Sequence, residues 1–223
     1  MPAGSSLRRL RWLFWGIALV VGVAAGIVIG VLRAPAKPAA VLTPVPPDGA
    51  AATWAAATRP APDFRLADQA GAPVSLGRFR GRPVILTFID PLCRNLCPIE
   101  AKILERVEAG FPAARRPAIV AVSVNRWGDA RANLLVDMRK WKLTQDWHWA
   151  VGTPAGLRAV WHAYRIAVSD SPKTVAGITV HQISHTEAAY IVDARGDERA
   201  LYLYPFTATD VSRTLRQLAG AQG

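Results

Sequence analysis

From Trp12 to Leu32 the chain reads "WLFWGIALVVGVAAGIVIGVL", 21 residues without a charge. A helix rising 1.5 Å per residue over that length matches a hydrocarbon core of about 30 Å, so the segment is expected to cross a bilayer. Arg8, Arg9 and Arg11 stand before it, and no acidic residue occurs before Asp48. The positive-inside rule therefore keeps residues 1–11 in the cytoplasm and sends the rest across, with Trp12 and Trp15 at the interface. The sequence "APA" at residues 34–36 resembles a signal-peptide cleavage site, but the apolar run is longer than such a signal's core, and a retained single-pass anchor is the expectation. Ala18, Gly22, Gly26 and Gly30 recur every fourth residue and offer one face for a homodimer.

Residues 33–58 are dominated by Ala and Pro without a hydrophobic period, which predicts a partly extended spacer. Residues 59–223 are enough for one well-buried domain and too few for two. The formal charge of the chain is +11, and Arg8, Arg9, Arg11, Arg33 and Lys37 against Asp48 are all that precede Arg59, so the domain is itself basic. Its basic residues are scattered, and no zinc-finger spacing, arginine-rich tract or aromatic RNA-binding signature is present; nucleic acid is not an expected partner.

Within the domain, "APDFRLADQAGAPVSLGRFRGRPVILTFID" reads as a hairpin around "DQAGAP" followed by a buried strand from Pro83 to Ile89. A helix follows Pro98, with Ile99, Ile103, Leu104 and Val107 on one face and Gly110 as its stop. "PAIVAVSV" is a second buried strand, residues 129–141 a helix, "WHWAVG" a short strand and "PAGLRAVWHAYRI" another helix. "TEAAYIVDARGDERALYLYPF" predicts a hairpin turning at Arg195-Gly196, and "TATDVSRTLRQLAG" a final helix capped by Thr or Asp. Strands alternating with helices and ending in a hairpin describe an α/β domain, a mixed sheet flanked by helices.

Cys93 and Cys97 are the only cysteines. Outside the cytoplasm a structural disulfide is the first reading, yet a bond closing so short a loop contributes little, and a domain of this size needs no staple. Their setting says more: a strand ends near Ile89, Cys93 follows in a loop, and Cys97 stands at a helix N-terminus, whose unpaired N–H groups and dipole favour a thiolate. Arg94 adds positive charge in the same sense. Redox chemistry and metal binding both fit such a pair. Four histidines are available to complete a metal site. His162, inside an amphipathic helix, and His148, between two tryptophans, read as packing or surface residues; His181 and His185, in a loop entering the late hairpin, are better placed.

"CRNLCP" and "SHTEAAYIVDARG" together resemble the Sco/SenC family of membrane-anchored copper proteins, with a Cys-x-x-x-Cys-Pro motif and a distant His opening a strand that ends in Asp-x-x-Gly. "AVSVNRWGDA" is similar to a further family segment, and the start of the domain looks like that of thioredoxin-like domains in general. The resemblance covers nearly the whole domain. It implies a thioredoxin-like fold, Cys93, Cys97 and His185 as ligands of copper, Cu(I) and also Cu(II), and a periplasmic copper donor. It further implies delivery to the binuclear copper site of cytochrome c oxidase subunit II. Soft thiolates select Cu(I) and imidazole suits both oxidation states, which agrees with that assignment. Zinc would ask for a fourth ligand, for which His181 is the candidate.

The chain departs from the family pattern at Pro91, where Thr is usual, at Arg94-Asn95, where Pro-Asp is usual, and at Ser184, where an acid commonly precedes the histidine. Two carboxylates near the ion are therefore expected to be missing. Other classes compete with metal delivery. A membrane-tethered thiol:disulfide oxidoreductase would use Cys93 and Cys97 as redox-active thiols, although the spacing is one longer than Cys-x-x-Cys and "VHQISHT" lacks the proline of that group. A copper or redox sensor signalling through the anchor is a third reading, and a peroxidase is disfavoured by Pro91. Because no arginine-rich amphipathic presequence precedes the anchor, a bacterial inner membrane, with the domain in the periplasm, is the expected location.

Overall fold

The computed structural model describes residues 49–144 and 146–220, together with Trp15 and Gly22. The expected anchor at 12–32, the N-terminus before it and most of the spacer lie outside the described residues. No helix among the described residues is long and apolar enough to cross a membrane.

In chain order the strands are β1 (Ala52–Thr53), β2 (Leu66–Ala67), β3 (Pro73–Val74), β4 (Val84–Ile89), β5 (Ala118–Ser123), β6 (Trp147–Ala150), β7 (Val168–Val175), β8 (Ile178–His185), β9 (Ala188–Val192) and β10 (Glu198–Leu203). The helices are α1 (Leu96–Ala109), α2 (Arg131–Trp141), α3 (Pro154–Ala163) and α4 (Ala208–Gly220). Six strands form the central sheet in the order β1-β10-β9-β4-β5-β6, with β4, β5 and β6 parallel and β9, β10 and β1 antiparallel to their neighbours.

β4, "VILTFI", is buried at every position, as a central strand covered on both faces must be, and its β-branched and aromatic residues suit the pleat. Alternation divides it between two cores: Ile85 and Ile89 join the residues of α1 and α4, while Val84, Leu86 and Phe88 join Leu157 and Val160 of α3. Each such side chain contributes roughly 1.5–3 kcal/mol by leaving water. Thr87 lies between Ile85 and Ile89 on the α1 face and donates its hydroxyl to the Glu100 carboxylate. α3 starts as its sequence predicts, with Pro154 in the first turn and the Thr153 hydroxyl accepting the Gly156 N–H at 3.1 Å.

Three expectations need correction. The folded unit starts before Arg59: β1 pairs with β10, the Ala51 N–H reaches Leu201 O at 2.7 Å, and Ala50 is fully buried. Two paired residues are too short a run for a period to reveal. On α1 the buried stripe consists of Cys97, Glu100, Ala101, Leu104, Val107 and Glu108, whereas Ile99 is 48% exposed. Two acids occupy core positions, which shifts the face away from the one its aliphatic residues suggest. Finally, the stretch expected to be a loop before the late hairpin is half of a hairpin of its own. β7 and β8 pair over eight residues each through a turn at Ala176 and Gly177, both with positive φ, 50° and 78°. Its residues are mostly exposed, it carries Pro172 inside β7, and its turn is Ala-Gly rather than Asn-Gly, so every usual strand signal is weak.

Candidate metal centre

The loop leaving β4 is organised by Asp90. Its carboxylate accepts the Leu92 N–H at 2.7 Å and the Asn125 side-chain amide at 2.9 Å, and its carbonyl accepts the Cys93 N–H at 3.1 Å. Gly128, in the turn after β5, sits so close beneath this loop that a Cβ there would lie 2.9 Å from Pro91 Cβ. Asn95 caps α1 by accepting the Leu96 N–H at 2.8 Å, which places Cys97 in the first turn and Pro98 directly after it, where no intrahelical N–H is needed.

Both thiols are free; Cys97 is buried and Cys93 is partly exposed. The Cys97 N–H donates to Cys93 Sγ at 3.4 Å, and Cys93 Sγ lies 2.9 Å from Asn95 Oδ1. The Cys97 side chain, hydrogen-bonded to Cys93, and the backbone N–H groups of the first turn of α1 bring the Cys93 thiol down to about 6 against the resistance of its own burial. Cys97 moves the other way, raised by sharing its proton with Cys93 and by burial. The expectation that the helix N-terminus favours a thiolate at Cys97 is thus overturned. The N–H groups point outward, at the sulfur in front of the helix, and Cys97 lies within it. Arg94 does not serve Cys93 either: its guanidinium donates to the Pro91 and Cys93 carbonyls, both at 2.9 Å, and faces Asp137 at 3.8 Å.

His185 ends β8, and its Nε2 approaches Cys97 Sγ at 4.0 Å. Its Nδ1 donates to Thr186 O at 3.1 Å, which leaves the Nε2 lone pair free. Glu187 completes the group: ligand atoms of Cys97, His185 and Glu187 all lie within 4.8 Å of one another. Burial raises the Glu187 carboxyl and His185 draws it back down. His185 and Glu187 border an open pocket of about 590 Å³ between the start of α1, the end of β8 and the end of β10, which Cys93, Leu96 and Leu203 also line. The 4.0 Å gap between sulfur and imidazole nitrogen is close to the roughly 4.3 Å sum of metal–sulfur and metal–imidazole bonds, so one ion fits between them.

The thiols thus lie in the loop and helix that follow a central strand, and the histidine that faces them ends the separate β7–β8 ribbon. Residues 53–220 match the family model described as SCO1/SenC. The chain belongs to the SCO1/SenC family. Its fold is similar to that of ScoI from Bradyrhizobium japonicum, solved with copper bound: 21% identity, TM-score 0.61, covering 71% of this chain and 98% of that one. Apo Sco1 from Thermus thermophilus is 26% identical with a TM-score of 0.59, over 75% of this chain and 99% of that one. BsSco, described as a Sco-family cytochrome c oxidase assembly protein with a disulfide switch, is 19% identical with a TM-score of 0.58, over 73% and 94%. No curated protein sequence matches the chain.

In this SCO1/SenC domain His185 approaches Cys97, whose N–H in turn bonds Cys93 Sγ. His181 does not: its ring stacks on Trp127 with centroids 3.5 Å apart and its Nδ1 bonds Asp170 at 2.7 Å, so it is not a fourth ligand. His148 is half-buried against Phe79, centroids 5.1 Å apart, away from the pocket. The carboxylate expected to be missing before His185 is answered by Glu187 after it, which sequence reading passed over. An acid directly before the apolar strand β9, two positions beyond the histidine, was the available signal. Asp90, which organises the loop that carries Cys93, had no such signal.

Proposed function

We propose that this chain is a copper metallochaperone that holds copper at Cys93, Cys97 and His185 and passes it to the binuclear copper site in subunit II of a cytochrome c oxidase. The observation that carries the reading is His185 Nε2 standing 4.0 Å from the buried Cys97 Sγ, beside an open pocket that Cys93 and His185 line. Sulfur donors select Cu(I), and an accessible ion of low coordination can leave by ligand exchange, which a closed tetrahedral zinc site resists. Family membership supports it, as do the copper found in ScoI and the oxidase-assembly role ascribed to the family of BsSco. The domain would hang in the periplasm from a single-pass anchor at residues 12–32 in a bacterial inner membrane, taking copper from a periplasmic donor.

The same thiols suit reduction of the acceptor's disulfide before delivery. Cys93, the sulfur with the lowered pKa, attacks one acceptor sulfur and frees the other as a thiolate. The freed acceptor thiolate takes the Cys97 proton, and Cys97 then attacks the mixed disulfide, forming the Cys93–Cys97 bond and releasing the second acceptor thiolate, so that two electrons pass to the acceptor.

The test is an anaerobic Cu(I) titration of the reduced full chain against a competing chelator. Wild type should bind one copper, and His185→Ala should weaken it by at least about a hundredfold, more than an outer-sphere change costs. Failure of wild type to compete for Cu(I) overturns the reading.

A further inference from the structure

Glu187 is held where it stands. Its carbonyl accepts the Tyr204 N–H at 3.1 Å, and the preceding Thr186 is bonded twice to Ala167, through its N–H at 2.9 Å and its hydroxyl at 3.2 Å. Among the described residues its carboxylate makes no hydrogen bond or ion pair, although it is half-buried in the pocket wall within 4.8 Å of ligand atoms of both Cys97 and His185. A half-buried carboxylate left without a donor, facing a sulfur and an imidazole nitrogen, is placed as a ligand would be. We infer that Glu187 is a ligand for Cu(II) in particular, added to the two thiols and His185 when the site holds the oxidised ion.

The chemistry separates the two oxidation states. Cu(I) is soft and content with the two sulfurs and one nitrogen, so a carboxylate oxygen adds little to it. Cu(II) favours tetragonal sites with nitrogen and oxygen donors and gains from a fourth, harder ligand. The carboxylate also brings a negative charge that offsets the higher charge of Cu(II) more than that of Cu(I). Ser184 has no charge to offer from the other side of His185, so within the 184–187 segment this role falls to Glu187 alone.

The inference rests on the copper reading above, and one experiment separates them. Full-length wild type and Glu187→Gln, which keeps the side-chain shape, are loaded in parallel with Cu(I) under chelator competition and with substoichiometric Cu(II) read by electron paramagnetic resonance at early times. Near-ultraviolet circular dichroism checks that both are folded alike. The expected result is Cu(I) affinity unchanged, Cu(II) affinity reduced about 10–100-fold, and altered Cu(II) hyperfine parameters in the variant. An unchanged Cu(II) spectrum and affinity overturns the inference while leaving the copper site intact. Equal weakening of both ions also overturns it, since Glu187 would then act without regard to oxidation state. Absence of Cu(I) binding by wild type overturns the copper reading itself.

Discussion

The backbone N–H of Cys97 points at the sulfur of Cys93, 3.4 Å away. The first turn of α1 therefore serves the partly exposed thiol and not the buried one, and the two cysteines differ in role: Cys93 is pushed toward the thiolate and Cys97 toward the thiol.

This asymmetry is measurable by alkylation. In the reduced domain the iodoacetamide rate should follow a midpoint near pH 6, with Cys93 modified first by mass spectrometry. Cys97→Ala removes the largest cause and should raise that midpoint toward the ordinary thiol value of 9.0. Cys97 modified before Cys93 would reverse the assignment.

Glu100 sits fully buried under the site, its carboxyl pushed up to about 8 by burial, with the Thr87 hydroxyl as its donor and Oε2 without a partner. The folded domain holds this proton after the unfolded chain, at 4.5, has lost it. Its contribution is thus full below about pH 4.5 and declines as pH rises toward 8, by up to about 1.4 kcal/mol per pH unit. Glu100→Gln stays neutral and still accepts from Thr87, so urea unfolding should show that slope abolished and the variant ahead of wild type at pH 8. Parallel pH profiles for the two proteins would mean that the carboxyl is already ionised in the fold.

The β7–β8 hairpin that ends in His185 is fastened to the turn after β5 by the stack of His181 on Trp127, 15° from parallel. Trp127→Ala should cost about 1 kcal/mol locally, seen as several-fold faster hydrogen exchange across residues 178–185 with the central sheet unaffected. Unaltered exchange there would show that the stack does not hold the hairpin.

Residues 50–54 belong to the fold through Ala50, the β1 ladder and Trp54, over whose ring Arg59 lies at 4.5 Å. A domain beginning at Arg59 should be less stable than one beginning at Gly49 by about 2–3 kcal/mol in urea. Equal midpoints would return residues 50–54 to the spacer.

Much of this was legible beforehand. The runs "VILTFI" and "AIVAVS" are buried strands because no other place accepts so many β-branched residues, and Gly196, at φ 85°, turns the last hairpin where Arg195-Gly196 predicts. The β7–β8 hairpin was not legible, because a two-stranded ribbon exposed on both faces leaves no alternation to read.

The sequence by itself determined most of the order of strands and helices and the position of both thiols after a buried strand, since each follows from local pattern, while the choice of His185 came from a family resemblance. Only the tertiary structure decided which sulfur is the thiolate, that His181 turns to Trp127 and Asp170, and that Glu187 and Asp90 surround the site. Those outcomes depend on distances of a few ångströms between segments up to about ninety residues apart, and burial and proton sharing act through such distances rather than through spacing along the chain.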